Sequence, residues 1–138
     1  MKRFEMYWAD FDVTIRAQLL EDDNPTNCAE FWRMLPFKAI FAASMSAGEM
    51  FKVPVPRSFS PQPPEKRVFL PQEPDGTIVA YGSSSLLIKY GVIAEPFLCP
   101  KLALINQTDL ASFRHLAIAL RDAYFFTKVI HIAQLRPV

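Results

Sequence analysis

The chain has 138 residues, a length that suits one domain around one core, so we expect residues 1–138 to fold as a single unit. Hydrophobic residues make up 51% of the chain and charged residues 21%, which excludes general disorder. The 15 Lys and Arg are scattered among 14 Asp and Glu, so the sequence lacks the basic stripe of a protein that binds nucleic acid or a membrane surface.

The first predicted element is a β-hairpin. Phe4, Met6 and Trp8 alternate with polar residues, and a second alternating run extends from Phe11 to Leu19. Strict alternation is typical of an antiparallel sheet that packs one face on a core and turns the other to water. We therefore expect the apolar face of this hairpin to form part of the core.

Helical spacing begins after the hairpin, at Asn24-Pro25. Asn24 can cap free backbone N–H groups and Pro25 suits the first helical position, so a short helix is predicted that ends before Pro36. The stretch Lys38–Ala47 remains open between helix and strand, because its alanines favour a helix while its larger apolar residues suit a strand.

The middle of the chain combines a predicted strand, Met50–Val55, with a proline-rich segment, residues 54–74. This segment carries seven of the twelve prolines, so its backbone lacks the donors that the interior of a sheet requires. We expect a long surface loop, which inside a compact domain usually serves as a lid or an interface arm.

The remaining elements are a hairpin, a short strand, a helix and a last strand. The hairpin pairs Thr77–Tyr81 with Leu86–Tyr90, and Leu102–Ile105 suits a further strand. Thr108 suits the cap of a helix with one apolar stripe. Thr127–Leu135 is apolar on both sides, which predicts a buried strand. Closing such a sheet on itself removes its exposed edges.

Several short motifs occur in a defined order along the chain: Leu19-Leu20-Glu21-Asp22, Pro25-Thr26-Asn27-Cys28, Phe31-Trp32, Gly48-Glu49, Gly76-Thr77-Ile78-Val79-Ala80-Tyr81 and Ile88-Lys89-Tyr90-Gly91. This order resembles the bacterial domains of unknown function that share the cyclophilin-like β-barrel. The resemblance implies a mainly β fold, a closed cyclophilin-like antiparallel β-barrel of about eight strands with two helices and a groove. Cyclophilins isomerise prolyl bonds with an Arg near a Phe-His pair. The corresponding Ile40–Ser46 has neither Arg nor His, so the resemblance implies no prolyl isomerase activity.

The candidate ligand-binding residues are Glu49, Tyr81, Tyr90, Arg57 and Ser46. Glu49 follows a turn glycine and can project over the mouth of a barrel, although a surface turn residue is the alternative. The two tyrosines can face each other across the hairpin and form an amphipathic wall, or a plain aromatic pair. Arg57 in the proline-rich segment is the cation for an anionic ligand, or is simply exposed to solvent.

Histidines and cysteines suggest neither a metal site nor a cofactor. His115 falls on the polar face of the second helix, and His131 alternates with apolar residues, as a hydrogen-bonded core imidazole would. Cys28 and Cys99 lack the spacing of metal ligands, so we expect core thiols. Acidic residues interrupt the apolar run that a signal peptide would need after Lys2, which favours the cytoplasm.

The leading functional hypothesis is a barrel that binds a small molecule in a groove between the Gly48-Glu49 turn, the tyrosine hairpin and the proline-rich segment. One alternative is an enzyme acting on a small amide or carboxylate metabolite, with Glu49 as general base and a tyrosine hydroxyl as acid. Another is a structural subunit of a homo-oligomer, since 12 Phe, 4 Tyr and 2 Trp are more aromatic surface than a small core hides.

Overall fold

The computed structural model describes all 138 residues, in ten β-strands and two α-helices. The strands are β1 (Arg3–Trp8), β2 (Val13–Leu19), β3 (Phe37–Ile40), β4 (Ala42–Ala43), β5 (Gly48–Pro54), β6 (Arg67–Phe69), β7 (Thr77–Tyr81), β8 (Ser85–Ile93), β9 (Leu98–Ile105) and β10 (Ile132–Pro137). The helices are α1 (Pro25–Met34) and α2 (Gln107–Asp122), and a π-helical turn, Ala123–Thr127, follows α2. Neither helix has the length and apolarity needed to cross a membrane.

The strands form an antiparallel sheet that curls into a nearly closed barrel. Its order is β3-β10-β1-β2-β9-β7-β8-β5-β4, with β6 paired to β9 beside it. β3 and β4 are the ends of this order, yet only Phe41 separates them in the chain, so the chain itself joins the two edges. The predicted antiparallel barrel with two helices is therefore confirmed as nearly closed, with nine strands in the sheet order.

Alternate side chains of the first hairpin fill the barrel, as their period predicts. Phe4, Met6 and Trp8 of β1 are fully buried, and the register pairs β1 with β2 residue by residue. The ring of Phe31 in α1 contacts Phe4 edge to face, with 4.8 Å between centroids. The apolar stripe of α2 adds further buried side chains: Phe113, Leu116, Ala117 and Leu120. Both helices thus bury one face against the barrel.

Strands β7 and β8 are buried on both faces. Ile78 and Ile88 belong to the barrel core, whereas Val79 and Leu87 pack on the outer face in a smaller cluster with Leu70. Strands covered on both sides need apolar residues at consecutive positions, which explains their continuous apolar runs.

The start of α1 differs from the predicted capping, although the helix ends before Pro36 as predicted. The Asn24 side chain makes no cap hydrogen bond. Its Nδ2 instead donates to the carbonyl oxygens of Lys101 at 2.9 Å and Lys66 at 3.4 Å, so it ties α1 to β9 and the proline-rich segment. Of the stretch that periodicity left open, residues 38–40 lie in β3 and residues 42–43 in β4, and residues 44–47 form the turn before β5.

The proline-rich segment is only in part the predicted surface loop. Residues 55–63 have no regular structure, but β6 pairs antiparallel with β9 and lies between two short 3-10 turns, Pro64–Lys66 and Leu70–Gln72. Leu70 is fully buried and Phe59 nearly so. The prolines kept this segment out of the barrel's sheet order, but its apolar residues anchor it to the barrel.

The predicted burial of the last strand was wrong in its first half. Strand β10 begins only at Ile132, and Val129, Ile130 and Ile132 are 48%, 58% and 53% exposed. Within β10, Ala133 and Leu135 are fully buried and alternate with outward-facing residues. Apolar character on both sides of this segment therefore reflects an exposed apolar surface instead of a second buried face.

Candidate functional site

The predicted groove residues do not come together around Glu49. The Glu49 carboxylate accepts the backbone N–H of Val92 at 3.0 Å and lies against Gly91. Tyr81 pairs with Ser85 at the other end of β8, six residues from Gly91. At roughly 3.3 Å per residue these positions are about 20 Å apart along the strand. Glu49 and Tyr81 therefore lie too far apart to serve one substrate atom.

The two tyrosines lie on opposite faces of the sheet, so the predicted facing pair was wrong. Tyr90 is buried in the barrel core, with its ring 4.9 Å from that of Phe51. Burial raises the pKa of the Tyr90 hydroxyl, while the nearby Arg121 guanidinium acts in the opposite direction. Tyr81 packs with the outer cluster, where its ring meets Phe97 edge to face at 5.5 Å. Tyr81 alone is available to a ligand outside the barrel.

Ser46 and Arg57 are both exposed and lie on different loops. Ser46 belongs to the turn between β4 and β5, and Arg57 belongs to the irregular part of the proline-rich segment. No hydrogen bond or ion pair holds the Arg57 side chain, so its role as a ligand cation stays a prediction.

A groove does lie between the proline-rich segment and the β7–β8 hairpin, and we call it the proline-loop groove. Its volume is about 360 Å³, and its walls are residues 59–62, residues 80–83 and residues 98–100, together with Asn27 and Arg67. Backbone bonds from Phe59 N to Ser83 O and from Val55 N to Ser84 O hold the two walls side by side. The groove thus uses two of the three predicted walls and leaves out the Gly48-Glu49 turn.

Asn27 places an unsatisfied polar group within the wall of this groove. The residue is fully buried, and its Nδ2 donates to Glu30 Oε1 at 2.9 Å and to the carbonyl oxygen of Ser60 at 3.1 Å. Both partners are acceptors, which fixes the orientation of the amide. Its Oδ1 is also buried and has no hydrogen-bond donor. A buried acceptor without a partner costs about 1–3 kcal/mol, which a donor that reached it through the wall would recover.

Arg67 supplies the positive charge of the groove. Its Nε and Nη2 donate to the carbonyl oxygen of Gln62 at 3.2 and 2.8 Å, which orients the guanidinium and leaves further N–H groups free. Cys99 lines the same groove, and burial raises the pKa of its thiol to about 11, against the effect of Arg67. Cys99 is therefore a neutral thiol near pH 7 and a poor nucleophile.

Tyr81 connects the proline-loop groove with an apolar recess on its other side. The recess has a volume of about 250 Å³ and is lined by Tyr81, Met50, Leu87 and Phe97, with Lys52 at its rim. The ammonium of Lys52 lies 5.5 Å from the centroid of the Tyr81 ring. The half-buried ring of Tyr81 therefore lies between two cations on the outer face of the barrel, Lys52 in the recess and Arg67 in the groove.

Glu30 fastens the wall of the groove to α1. Its carboxylate accepts Ser60 Oγ at 2.6 Å, the Ser60 backbone N–H at 3.1 Å and Asn27 Nδ2 at 2.9 Å. Burial on its own raises the pKa of Glu30, but the hydrogen bonds from Ser60 and Asn27 outweigh it, so the pKa is lowered. The ionised carboxylate is therefore what holds Ser60 in place.

The tie between Glu30 and Ser60 is expected to weaken in acid. A lowered folded pKa contributes stability that is present above the unfolded value of 4.5 and is lost as the pH falls through the folded pKa. Glu30→Gln removes the charge at every pH, so hydrogen exchange of the Ser60 amide should be about tenfold faster at neutral pH. Glu65→Gln, at an exposed glutamate of the same segment, is the control. Unchanged Ser60 protection in the Glu30 variant would contradict this role.

The histidines lie away from the groove. His131 is hydrogen-bonded as predicted, but to a carboxylate: its Nδ1 lies 2.7 Å from Asp10 Oδ2, and its ring packs on Phe11. His115 is exposed on α2. No group of three or more His, Cys, Asp or Glu side chains is placed to hold a metal ion, and both cysteines are buried and free.

Sequence reasoning missed Asn27, Arg67 and Glu30. The one available signal was Asn27 itself, a polar residue in the stripe that α1 turns to the core beside Cys28 and Phe31. A polar side chain in such a stripe needs partners, and here they come from Ser60, 33 residues away. Local periodicity carries no information about contacts of that separation.

Comparison with known proteins shows the fold. The structure of McbB in complex with tryptophan superposes with a TM-score of 0.88 and 20% sequence identity, over 96% of this chain and 44% of the McbB chain. The chain thus spans less than half the length of McbB. No family model and no curated protein matches the sequence. The cyclophilin-like resemblance accordingly stays a prediction, whereas the barrel is established.

Proposed function

We propose that this chain is a cyclophilin-like barrel without prolyl isomerase activity that binds a small molecule of amino-acid type in the proline-loop groove. The ligand has a carboxylate, an N–H donor and an aromatic or apolar body. The observation that carries the proposal is the buried, unpartnered Oδ1 of Asn27 in the wall of a groove that is also lined by the oriented guanidinium of Arg67.

The two polar groups call for opposite ligand chemistry. Asn27 Oδ1 is an acceptor without a donor, so it suits an ammonium or another N–H group of a ligand. Arg67 has donors beyond those used by Gln62, and a guanidinium recognises a carboxylate with two parallel hydrogen bonds. A zwitterion satisfies both groups at once.

The apolar part of the ligand suits Tyr81. Its ring is only partly buried and lies where the groove adjoins the recess formed with Phe97 and Leu87. An aromatic body stacked on Tyr81 would bury apolar surface on both partners. The groove volume of about 360 Å³ lies at the small end of the range for ligand sites, which favours a metabolite over a peptide. The tryptophan bound by McbB is a ligand of this class.

A binding role is favoured over catalysis. The alternative enzyme needs Glu49 and a tyrosine hydroxyl at one substrate atom. Glu49 lies beside Val92 at one end of β8, whereas Tyr81 pairs with Ser85 at the other end. Within the groove, the thiol of Cys99 is protonated near neutral pH and neither histidine lines the walls. The polar groups present can orient a ligand, and none is paired with an activating base.

Calorimetric titration with L-tryptophan and with tryptamine, which lacks the carboxylate, tests the role of Arg67. Arg67→Gln should weaken tryptophan binding about tenfold or more and leave tryptamine binding unchanged, because only tryptophan has a group for the guanidinium. Arg57→Gln is the matched comparison, since Arg57, the cation first predicted for the ligand, is an exposed arginine of the same segment that does not line the groove. It should bind both ligands like the wild type.

Two results would contradict the proposal. One is the failure of tryptophan and other amino acids of similar size to bind the folded wild-type protein at all. The other is an equal loss of tryptophan affinity in the Arg67 and Arg57 variants, which would place the carboxylate outside the groove.

A further inference from the structure

An apolar surface is exposed on β10 and β3. These strands are not neighbours of β7 or β9, which line the proline-loop groove. Ile132 pairs across the strands with Ile40, and the two side chains are 53% and 37% exposed. Ile130 is 58% exposed beside them, and Phe126, at 78%, precedes it in the segment that follows α2. Large apolar side chains clustered on a surface mark an interaction site more often than scattered ones do.

This surface, which we call the β10 face, also contains charges of both signs. A shallow recess of about 340 Å³ lies on it, lined by Ile130, Ile132, Tyr7, Asp10 and Lys38 among others. The side chain of Asp10 is 62% exposed even though it contacts His131. Lys38 is exposed and has no carboxylate partner within the chain. An acid and a base therefore flank the same apolar patch.

A surface with an acid and a base on either side of an apolar patch can meet its own copy without opposing like charges. In a dimer with two-fold symmetry the same patch meets its own copy, so a residue that contacts a second residue is contacted by it in return. Turning the β10 face onto its copy covers the isoleucines with isoleucines and brings Lys38 towards Asp10 of the partner subunit. A partner with one sign of charge would leave either Lys38 or Asp10 opposed by a like charge.

We propose that the β10 face is the interface of a homodimer, with Ile130 and Ile132 at its centre and two symmetric pairs of Lys38 and Asp10 at its rim. The apolar centre and polar rim match the general anatomy of protein interfaces. The occupant of this face is thus a second copy of this chain. The groove elements take no part in the interface, so it is independent of ligand binding.

Sedimentation velocity over a concentration series tests the interface. The wild-type protein should be dimeric, and Ile132→Asp should weaken the dimer by about a hundredfold or more, because it buries a charge at the centre. Val92→Asp is the matched control, since Val92 is 75% exposed on β8, away from this face. It should leave the dimer intact. Ile130→Asp, outside the strands, serves as the second variant if Ile132→Asp does not fold.

Charge reversal tests the symmetric pairing. Lys38→Glu and Asp10→Lys should each weaken the dimer about tenfold, and the double variant should restore it, since the pairs re-form with their signs exchanged. A monomeric wild type would overturn the proposal, including a monomer whose β10 face binds another protein. Equal dissociation of the Ile132→Asp and Val92→Asp variants, or a double charge variant weaker than either single one, would overturn it as well.

Discussion

Gly48→Ala is expected to destabilise the protein by about 4 kcal/mol. Gly48 has φ +128°, which L side chains rarely adopt, and a Cβ placed there would lie 2.5 Å from the carbonyl oxygen of Val92 and 2.7 Å from Cα of Ile93. Both are backbone atoms, so neither can rotate away. Conformational strain of about 1–2 kcal/mol therefore adds to about 1–3 kcal/mol of overpacking.

Gly82→Ala is the control for this effect. Gly82 also has a positive φ, +57°, but a Cβ there meets no atom within 4 Å. Urea unfolding should give a loss of only about 1 kcal/mol for this variant. If the two variants lose the same stability, the close approach of Gly48 to β8 is not the reason that glycine is needed there.

Lys89→Met is expected to cost about 3 kcal/mol. Lys89 is only 5% exposed, and its Nζ donates to the backbone carbonyl oxygens of Glu73 at 2.6 Å, Pro71 at 3.0 Å and Leu70 at 3.3 Å. All three ammonium donors are used, although no carboxylate contacts them. Methionine replaces the aliphatic part of the side chain but leaves those carbonyl oxygens without their donor under the proline-rich segment.

Lys66→Met separates this loss from a general effect of removing a lysine. Lys66 is exposed, so the change should alter the free energy of unfolding by no more than about 0.5 kcal/mol in the same urea titration. A Lys89→Met variant as stable as the Lys66 variant would show that the three carbonyl oxygens find water or other donors instead.

The strands and helices were predictable where one face of an element meets the core. The alternation from Phe4 to Leu19 gave the first hairpin, and the stripe of α2 gave its buried residues, because burial on one side imposes the period of the element. Lys38–Ala47 could not be decided locally. Its first part becomes strand because β10, at the far end of the chain, supplies backbone partners for β3, whereas β4 pairs with β5, the next strand along the chain.

Burial itself was harder to predict from apolar pattern. The run around Ile130 suggested a buried strand, yet its apolar side chains are exposed within the single chain. An apolar pattern does not distinguish a core from an interface between chains, since both contain clustered apolar side chains. The proposed dimer would reconcile the pattern with the exposure.

The sequence predicts the types of residue that line the groove better than it predicts their positions. A groove beside the proline-rich segment with a tyrosine and an arginine was expected, and the groove that lies there is lined by Tyr81 and Arg67, whereas Arg57 does not line it. Tyr81 pairs with Ser85, and paired side chains face the same side of the sheet. Side chains alternate along β8, so Tyr90, an odd number of residues after Ser85, faces the opposite side. Asn27 reaches the groove only through the packing of α1 beneath the segment.

We place the ligand in the proline-loop groove, and backbone amide chemical shifts measured during a titration with L-tryptophan test that location most directly. Saturable shifts should concentrate on Ser60, Gln62, Ser83 and Cys99, which line the groove, and should leave Glu49 and Val92 at the other end of β8 unmoved. Saturable shifts around Glu49 with none at Ser60 or Ser83, or no saturable shifts at all, would contradict it.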